Sequence, residues 1–338
     1  MEKTDILSLS KEELEEKILA MGEKKFRAGQ IYDWLHINKV EEFSKMTNLS
    51  AQLREKLDDI FWINSLKIQK RLVSDIDNTV KYLYGLSDGE KVETVLMEYK
   101  HGNSICISTQ VGCKMGCKFC ASTKAGFVRN LEPSEMLLQI YESERDSGRK
   151  INHVVLMGIG EPLDNFDNVV KFLRLLSAKD DMSLRHVSVS TCGLVNRIYE
   201  LADLKLGITL SVSLHAPTNE LRSSIMPIND RFRIEDLMEA CKYYFNTTGR
   251  RISYEFALID GVNDNRQSAD ALLKLLKGQN CHVNLIPVNE IKEGVFKRSA
   301  SVEKYKQMLI DGGLNATVRR TLGADISAAC GQLRRDNK

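Results

Sequence analysis

The sequence predicts an α/β protein, a βα barrel or partial barrel of parallel strands preceded by a helical and β-hairpin region spanning roughly the first 100 residues. Three observations carry this. From Ser104 onward, short strand-like runs at 104–109, 153–157, 186–190, 208–214, 252–258, 282–286 and 315–319 alternate with amphipathic stretches. Those stretches cover 133–146, 166–177, 234–246, 266–277 and 301–311; regular βα alternation implies a parallel sheet covered by helices. All five prolines fall at or after Pro133, and Pro162, Pro217, Pro227 and Pro287 each follow a short apolar run. A ring that locks φ and removes an N–H fits a strand exit, not a helix interior.

The preceding elements follow in order. Ser10-Lys11-Glu12-Glu13 is a capping box ahead of Leu14, Ile18 and Leu19, which marks a helix start. A second helix carries Phe26, Ile31, Trp34 and Leu35, and a third carries Leu49, Leu53 and Leu57. Over 66–99 the period changes: Val80, Tyr82, Tyr84 and Leu86 alternate with other residues, and Asp88-Gly89 is a hairpin turn. The expected divisions are a helical accessory region over 1–60, a β-hairpin extension over 61–103, the βα core over 104–322 and a C-terminal segment over 323–338. In βα folds, chemistry gathers at the C-terminal ends of the strands.

Composition narrows the class. With 338 residues, 43% apolar and 28% charged, the chain is an ordinary globular one. No run approaches the roughly 18 apolar residues of a membrane helix, and the opening Met1-Glu2-Lys3-Thr4-Asp5 is no secretory signal. The expectation is a cytoplasmic monomer without membrane contact. Its eight cysteines are then reduced, so metal binding or catalysis outweighs a disulfide framework. The net charge of +2 averages an acidic first hundred residues (net −3) with a basic remainder (net +5). Val111 to Asn130 holds Lys114, Lys118, Lys124 and Arg129 and no acid.

Cys113-Lys114-Met115-Gly116-Cys117-Lys118-Phe119-Cys120 sets three thiols at spacings x3 and x2 in the loop after the first barrel strand. Three ligands are one short of a closed zinc or Fe–S site; a cubane held this way keeps one iron open for substrate. Gly112, Gly116 and Gly126 would let backbone N–H groups wrap an anionic cluster. On spacing alone, zinc with a distant fourth ligand such as His215 stays open.

The Cys-x3-Cys-x2-Cys run, with Met157-Gly158-Ile159-Gly160-Glu161-Pro162 after the next strand, resembles the radical S-adenosylmethionine superfamily. Further runs occur in one family's order. They are Cys106-Ile-Ser-Thr-Gln-Val-Gly-Cys113, Ser190-Thr-Cys-Gly193, Ser213-Leu214-His215-Ala216-Pro217, Ile286-Pro287-Val288-Asn289 and Ala328-Ala329-Cys330-Gly331-Gln332-Leu333. Lys25-Phe26-Arg27-Ala28 with Gln30-Ile31 and Trp34 completes the set. Together they resemble, over nearly the whole chain, the bacterial dual-specificity rRNA/tRNA adenine-C2 methyltransferases. The serine usual in that family is replaced here by Cys192.

The resemblance implies a partial TIM-like barrel of the radical S-adenosylmethionine type and a 4Fe–4S cluster on Cys113, Cys117 and Cys120. It implies two S-adenosylmethionine molecules per turnover, bound through Gly160, Glu161, Ser190, Ser213, Leu214, His215 and Asn289. Adenine C2 has no acidic proton, so plain polar transfer from a sulfonium fails there. In the family's route Cys330 takes the methyl group from one S-adenosylmethionine. An adenosyl radical from the second abstracts a hydrogen from that methyl, and the carbon radical adds to C2. Glu93 then removes the C2 proton, and Cys106 attacks the Cys330 sulfur, releasing product with a transient disulfide. The implied partners are 23S rRNA (adenosine 2503), tRNA (adenosine 37) and a low-potential flavodoxin or ferredoxin. Lys114, Lys118, Lys124, Arg129, Arg319 and Arg320 are the basic groups expected toward the RNA backbone.

On their own terms some of these residues read more plainly. Glu93 alone is a solvent-facing strand acid, and His215 at a strand end is a satisfied core histidine. Cys192, Cys241 and Cys281 are buried small hydrophobes. Two other readings remain: C8 methylation of the same rRNA adenosine, as in an antibiotic-resistance relative, and a zinc-stabilised RNA-binding module. Gln110-Val111-Gly112 and Ala121-Ser122-Thr123 favour the C2 family.

Overall fold

A computed structural model of the chain describes residues 3–178, 182–291 and 294–334; the end of the segment expected over 323–338 lies outside them. A two-residue strand β1 (Thr4–Asp5) pairs with β2 (Phe61–Trp62), bracketing helices α1 (Lys11–Ala20), α2 (Phe26–His36) and α3 (Ala51–Ile60). The capping box forms: the Ser10 hydroxyl accepts from Glu13 N–H at 3.2 Å, and the Glu13 carboxylate accepts from Ser10 N–H at 2.7 Å. Leu14, Ile18, Ile31, Leu35, Leu53 and Leu57 are buried as spaced, whereas Leu19 and Phe26 face solvent.

Antiparallel strands β3 (Lys67–Val73), β4 (Val80–Gly85) and β5 (Lys91–Tyr99) follow, and β5 pairs antiparallel with β6 (Gly102–Cys106). From β6 the sheet turns parallel through β9 (Ile151–Leu156), β10 (Val187–Thr191), β11 (Thr209–Ser213), β12 (Ile252–Leu258), β13 (Cys281–Pro287) and β14 (Ala316–Val318). In this ten-stranded order β14 and β3 are the two edges, so the barrel is partial. The exposed edge strand β3 presents Lys67, Lys70 and Arg71, charges that discourage edge-to-edge pairing. A small hairpin of β7 (Gln110–Gly112) and β8 (Phe127–Asn130) brackets the cysteine loop.

Helices α4 (Pro133–Ser147), α5 (Phe166–Ser177), α8 (Ile234–Thr248), α9 (Arg266–Leu276) and α10 (Val302–Asp311) lie close to where periodicity puts them. Two more, α6 (Val195–Asp203) and the short α7 (Asn219–Ile225), lie outside the stretches that periodicity marks. The hairpin extension also differs from expectation: every residue of β4 is buried, because both of its faces are covered. That burial includes Lys81, which is tolerable because its ammonium pairs with Glu93 at 3.1 Å.

Between α2 and α4, His36 is buried and its Nδ1 lies 3.2 Å from the Tyr141 hydroxyl. Lys39 and Glu144 beside it are paired with each other. Burial pushes His36 down to about 4 from 6.5. The unfolded chain therefore takes up this proton first. Its contribution to stability is complete above pH 6.5 and is lost as pH falls toward 4, on the order of 3 kcal/mol in all. Chemical denaturation from pH 7 to pH 4 should show that loss, and the His36→Gln protein should show it reduced by about that amount.

Candidate active site

The strand exits converge on one cavity of ≈ 960 Å³. Its wall on the β7 side is the cysteine loop. Cys113 N–H donates to Gly126 C=O at 3.1 Å, and a Cβ on Gly112, whose φ is +76°, would lie 1.8 Å from that same carbonyl. Gly112 and Gly126 thus serve the close hairpin crossing, a plainer task than wrapping a cluster. Cys120 N–H donates to Cys117 C=O at 3.2 Å, and the Thr123 hydroxyl donates to Cys120 C=O at 3.0 Å. Cys113, Cys117 and Cys120 all line the cavity. Burial pushes the Cys113 thiol up to about 12 and raises Cys117 and Cys120 as well. Thiols in such a setting ionise only when a metal centre compensates the charge.

Against the start of β7 lies the turn after β9. The Glu161 carboxylate accepts from Leu163 N–H (3.0 Å) and Cys192 N–H (2.7 Å), and Glu161 N–H donates to the Gln110 side chain at 2.8 Å. Burial raises its pKa against those donors. Gly160, at φ +108°, has no room for a side chain, since a Cβ would lie 2.6 Å from Gln110 Cβ. Ser190, Ser213, His215 and Asn289 line the same cavity at strand exits. Leu214 does not. Its side chain is fully buried, its N–H donates to Glu255 C=O at 3.1 Å, and its C=O accepts from Arg222. Through these bonds it sets the conformation of its neighbours.

His215 stands in the left-handed region at φ +57°, a strained conformation for a non-glycine residue. Its Nδ1 accepts from Ala257 N–H at 2.8 Å, so the neutral ring carries its proton on Nε2. Burial pushes it down to about 3, which keeps it neutral. A protonated Nε2 has no lone pair to give, so the zinc arrangement with His215 as fourth ligand loses its ligand. Among the described residues no three His, Cys, Asp or Glu side chains converge as a site for one metal ion. Three soft thiols spread along one wall instead suit a multi-atom iron–sulfur cluster.

A second chamber of ≈ 510 Å³ adjoins, lined by Val95, Met97, Cys106, Ala328 and Leu333. Cys330, Asn289, Met157 and Arg319 line both chambers. Cys106 faces inward as its strand alternation requires, and its thiol is pushed up to about 12 by burial and then by Cys330, with Arg319 opposing. Both cysteines are free thiols. The segment bearing Cys330 is tied along its length. Asn289 Nδ2 donates to Cys330 C=O at 3.0 Å, Ala121 N–H to Gly331 C=O at 2.7 Å, and the Ser122 hydroxyl to Leu333 C=O at 2.9 Å.

Glu93 is buried, not solvent-facing. Its carboxylate takes Lys81 on one oxygen and Arg334 N–H at 2.6 Å on the other, while Lys81 Nζ donates to Ser327 C=O at 3.1 Å. This ion pair therefore grips the C-terminal segment on both sides of Cys330. Glu93 shares a strand face with Val95 and Met97 but is not part of the lining of the chamber they border.

Two residues of the site had another role in the sequence reading. Arg319, expected at the RNA backbone, lies inside, 3.7 Å from Glu255 and hydrogen-bonded to Met157 Sδ at 3.1 Å. Its charge is held chiefly by Cys330, then by Glu255 and Cys106. Cys192, placed with the plain buried cysteines, lines the cavity beside Glu161. Cys241 and Cys281 are buried core residues as expected. Of the other basic groups, Lys114 pairs with Asp164 and Arg129 with Asp88 and Glu135, while Lys118, Lys124 and Arg320 are exposed.

Comparison with known proteins agrees with this geometry. Residues 4–63 match the ribosomal RNA large subunit methyltransferase N-terminal domain, and residues 107–273 the radical SAM superfamily. A probable dual-specificity RNA methyltransferase RlmN of Lachnoclostridium phytofermentans is 52% identical, covering 99% of this chain and 95% of its own. The one of Clostridium novyi is 50% identical, covering 98% of both. The crystal structure of a radical SAM methyltransferase from Sphaerobacter thermophilus superposes with a TM-score of 0.94 at 40% identity, over 98% of this chain and 100% of that one. The chain belongs to the RlmN family of dual-specificity RNA methyltransferases within the radical SAM superfamily.

Proposed function

We propose that this enzyme methylates carbon 2 of adenosine 2503 in 23S rRNA and of adenosine 37 in tRNAs, in the cytoplasm, with electrons from a low-potential flavodoxin or ferredoxin. The family's cofactors are a 4Fe–4S cluster and S-adenosylmethionine. The observation that supports the reading best is the shared chamber of Cys106 and Cys330, which shares lining residues with the cavity bordered by Cys113, Cys117 and Cys120.

Bound together, the cluster and S-adenosylmethionine supply a carbon radical that abstracts hydrogen. Cys113, Cys117 and Cys120 hold the cluster. Glu161, already accepting two N–H groups, receives the ammonium group of S-adenosylmethionine, and neutral His215 offers its Nε2–H within the same pocket. Cys330 carries the methyl group as a thioether, and its half-open position at the junction of the chambers serves both donor and RNA base. Glu93 accepts the C2 proton once the C-terminal segment shifts enough to free the carboxylate from Arg334 N–H. Cys106 then attacks the Cys330 sulfur. The S–C bond to RNA breaks, its electron pair goes to the carbon that becomes the methyl group, which takes up a proton, and a Cys106–Cys330 disulfide remains for reduction; the unpaired electron left by radical addition would return to the cluster. The target adenosine must leave its stack to reach this chamber, and exposed Lys118, Lys124 and Arg320 are placed to meet phosphates.

Anaerobic reaction of reconstituted enzyme with an unmodified 23S rRNA fragment and with tRNA, followed by nucleoside mass analysis, tests this. The expected product from both is 2-methyladenosine; 8-methyladenosine or no product would overturn the reading.

A further inference from the structure

Arg222 on α7 is the largest fully buried side chain among the described residues. Among the described residues no carboxylate pairs with it. Its guanidinium is solvated by neutral oxygens only: Nε donates to Leu214 C=O (3.1 Å), Nη1 to Asn229 Oδ1 (3.3 Å), and Nη2 to Cys192 C=O (2.6 Å) and Ser213 C=O (3.2 Å). A guanidinium stays charged in proteins, and an ion taken out of water without a counter-ion is strongly disfavoured. Some negative charge must compensate it.

The elements around it bring it close to the cysteine loop. Helix α7 packs on the cysteine loop: Lys118 N–H donates to Ile225 C=O at 3.0 Å. Cys117, Met115 and Phe119 pack with Cys192, Ile225 and Met226 in one apolar cluster. The sulfurs of Cys192, Cys117 and Cys241 and the His215 ring lie within reach of its charge, and of these Cys117 is a cluster ligand. Arg222 does not line the cavity itself. Its hydrogen bonds instead fix the exits of β10 and β11, where Ser190, Ser213 and His215 stand, and it holds the carbonyl of the same Cys192 whose N–H reaches Glu161.

We propose that Arg222 is a positioning residue with two tasks: its buried charge compensates the thiolate-bound cluster and favours the cluster's reduced state, and its hydrogen bonds hold the S-adenosylmethionine-binding strand exits in place. The inference rests on the assignment of the cluster to Cys113, Cys117 and Cys120. Adding an electron makes the cluster more negative, and a nearby cation in a site shielded from salt stabilises that added charge.

The test compares anaerobically reconstituted wild type with Arg222→Met, Arg222→Lys and Asn229→Asp, by iron and sulfide content and by redox titration of the cluster followed by electron paramagnetic resonance. Arg222→Met should shift the oxidised-to-reduced ratio at a fixed potential at least about tenfold toward oxidised, a midpoint 59 mV lower for one electron. Asn229→Asp, which sets a carboxylate against Nη1, should shift it in the same direction with the arginine still present. Arg222→Lys, keeping the charge, should move it less than either while weakening S-adenosylmethionine binding. If the methionine protein cannot be loaded, the other two decide. An unmoved potential in Asn229→Asp, or a lysine variant shifted as far as the neutralising ones, would overturn the proposal. Wild-type protein without iron and sulfide would instead overturn the cluster assignment beneath it.

Discussion

Replacing Cys330 with alanine is expected to abolish methylation, by on the order of 10⁴-fold or more, the scale on which an obligatory covalent nucleophile is lost. The argument is geometric. Cys330 stands where the two chambers meet, facing the Glu161 side of the site on one hand and Cys106 on the other. Carbon 2 of adenine cannot receive a methyl group by polar displacement, so no residual route bypasses the carrier. Nor should the loss be one of folding. The segment is held by main-chain bonds from Asn289, Ala121, Ser122 and Lys81, and none of them uses the thiol. Steady-state product formation read beside thermal unfolding checks this: an inactive protein that melts within a few degrees of wild type is the expected outcome. Methylation retained by the alanine protein would remove Cys330 from the mechanism.

The Cys106→Ala enzyme should fail at a later point, stopping after RNA has become linked to Cys330. A covalent protein–RNA species that survives denaturing electrophoresis should accumulate to near one equivalent, with free methylated RNA reduced at least about a hundredfold. Resolution requires a thiolate, and Cys106 is poorly placed to form one alone. Burial, with Cys330 adding to it, pushes it up to about 12. Arg319, half-buried where the two chambers meet, is the charged group that opposes this. The same cation explains how an attack that needs negative sulfur can occur in an apolar chamber of Val95, Met97 and Leu333. Normal release of product by the Cys106 variant would refute the resolving role.

Much of this was legible in the chain. The barrel strands announce themselves as apolar runs ended by proline or glycine, and the motif order around Cys106, Cys113 and Glu161 names the family before any coordinate is seen. What escaped was set by contacts distant in sequence. Glu93 reads as an exposed strand acid because alternation says nothing of a C-terminal segment 241 residues away that covers it. Arg319 and Arg320 look alike as a basic pair, but Arg319 lines both chambers whereas Arg320 is exposed and touches only the second. Leu214 sits within a binding motif yet belongs to the core. Arg222 carries no local signal at all, since its meaning lies in four oxygens from three separate chain segments.

The central claim, that the methyl group reaches RNA as a carbon radical carried on Cys330, is tested most directly by isotope retention. The enzyme is supplied under anaerobic conditions with S-adenosylmethionine bearing a fully deuterated methyl group and with unmodified rRNA fragment, and the product nucleoside is weighed. One deuteron is abstracted while the methyl is still on sulfur, and the vacancy is later filled by an ordinary proton. The account therefore predicts 2-methyladenosine retaining two deuterons in its methyl group. A product retaining all three would show that the methyl was transferred intact and would contradict it.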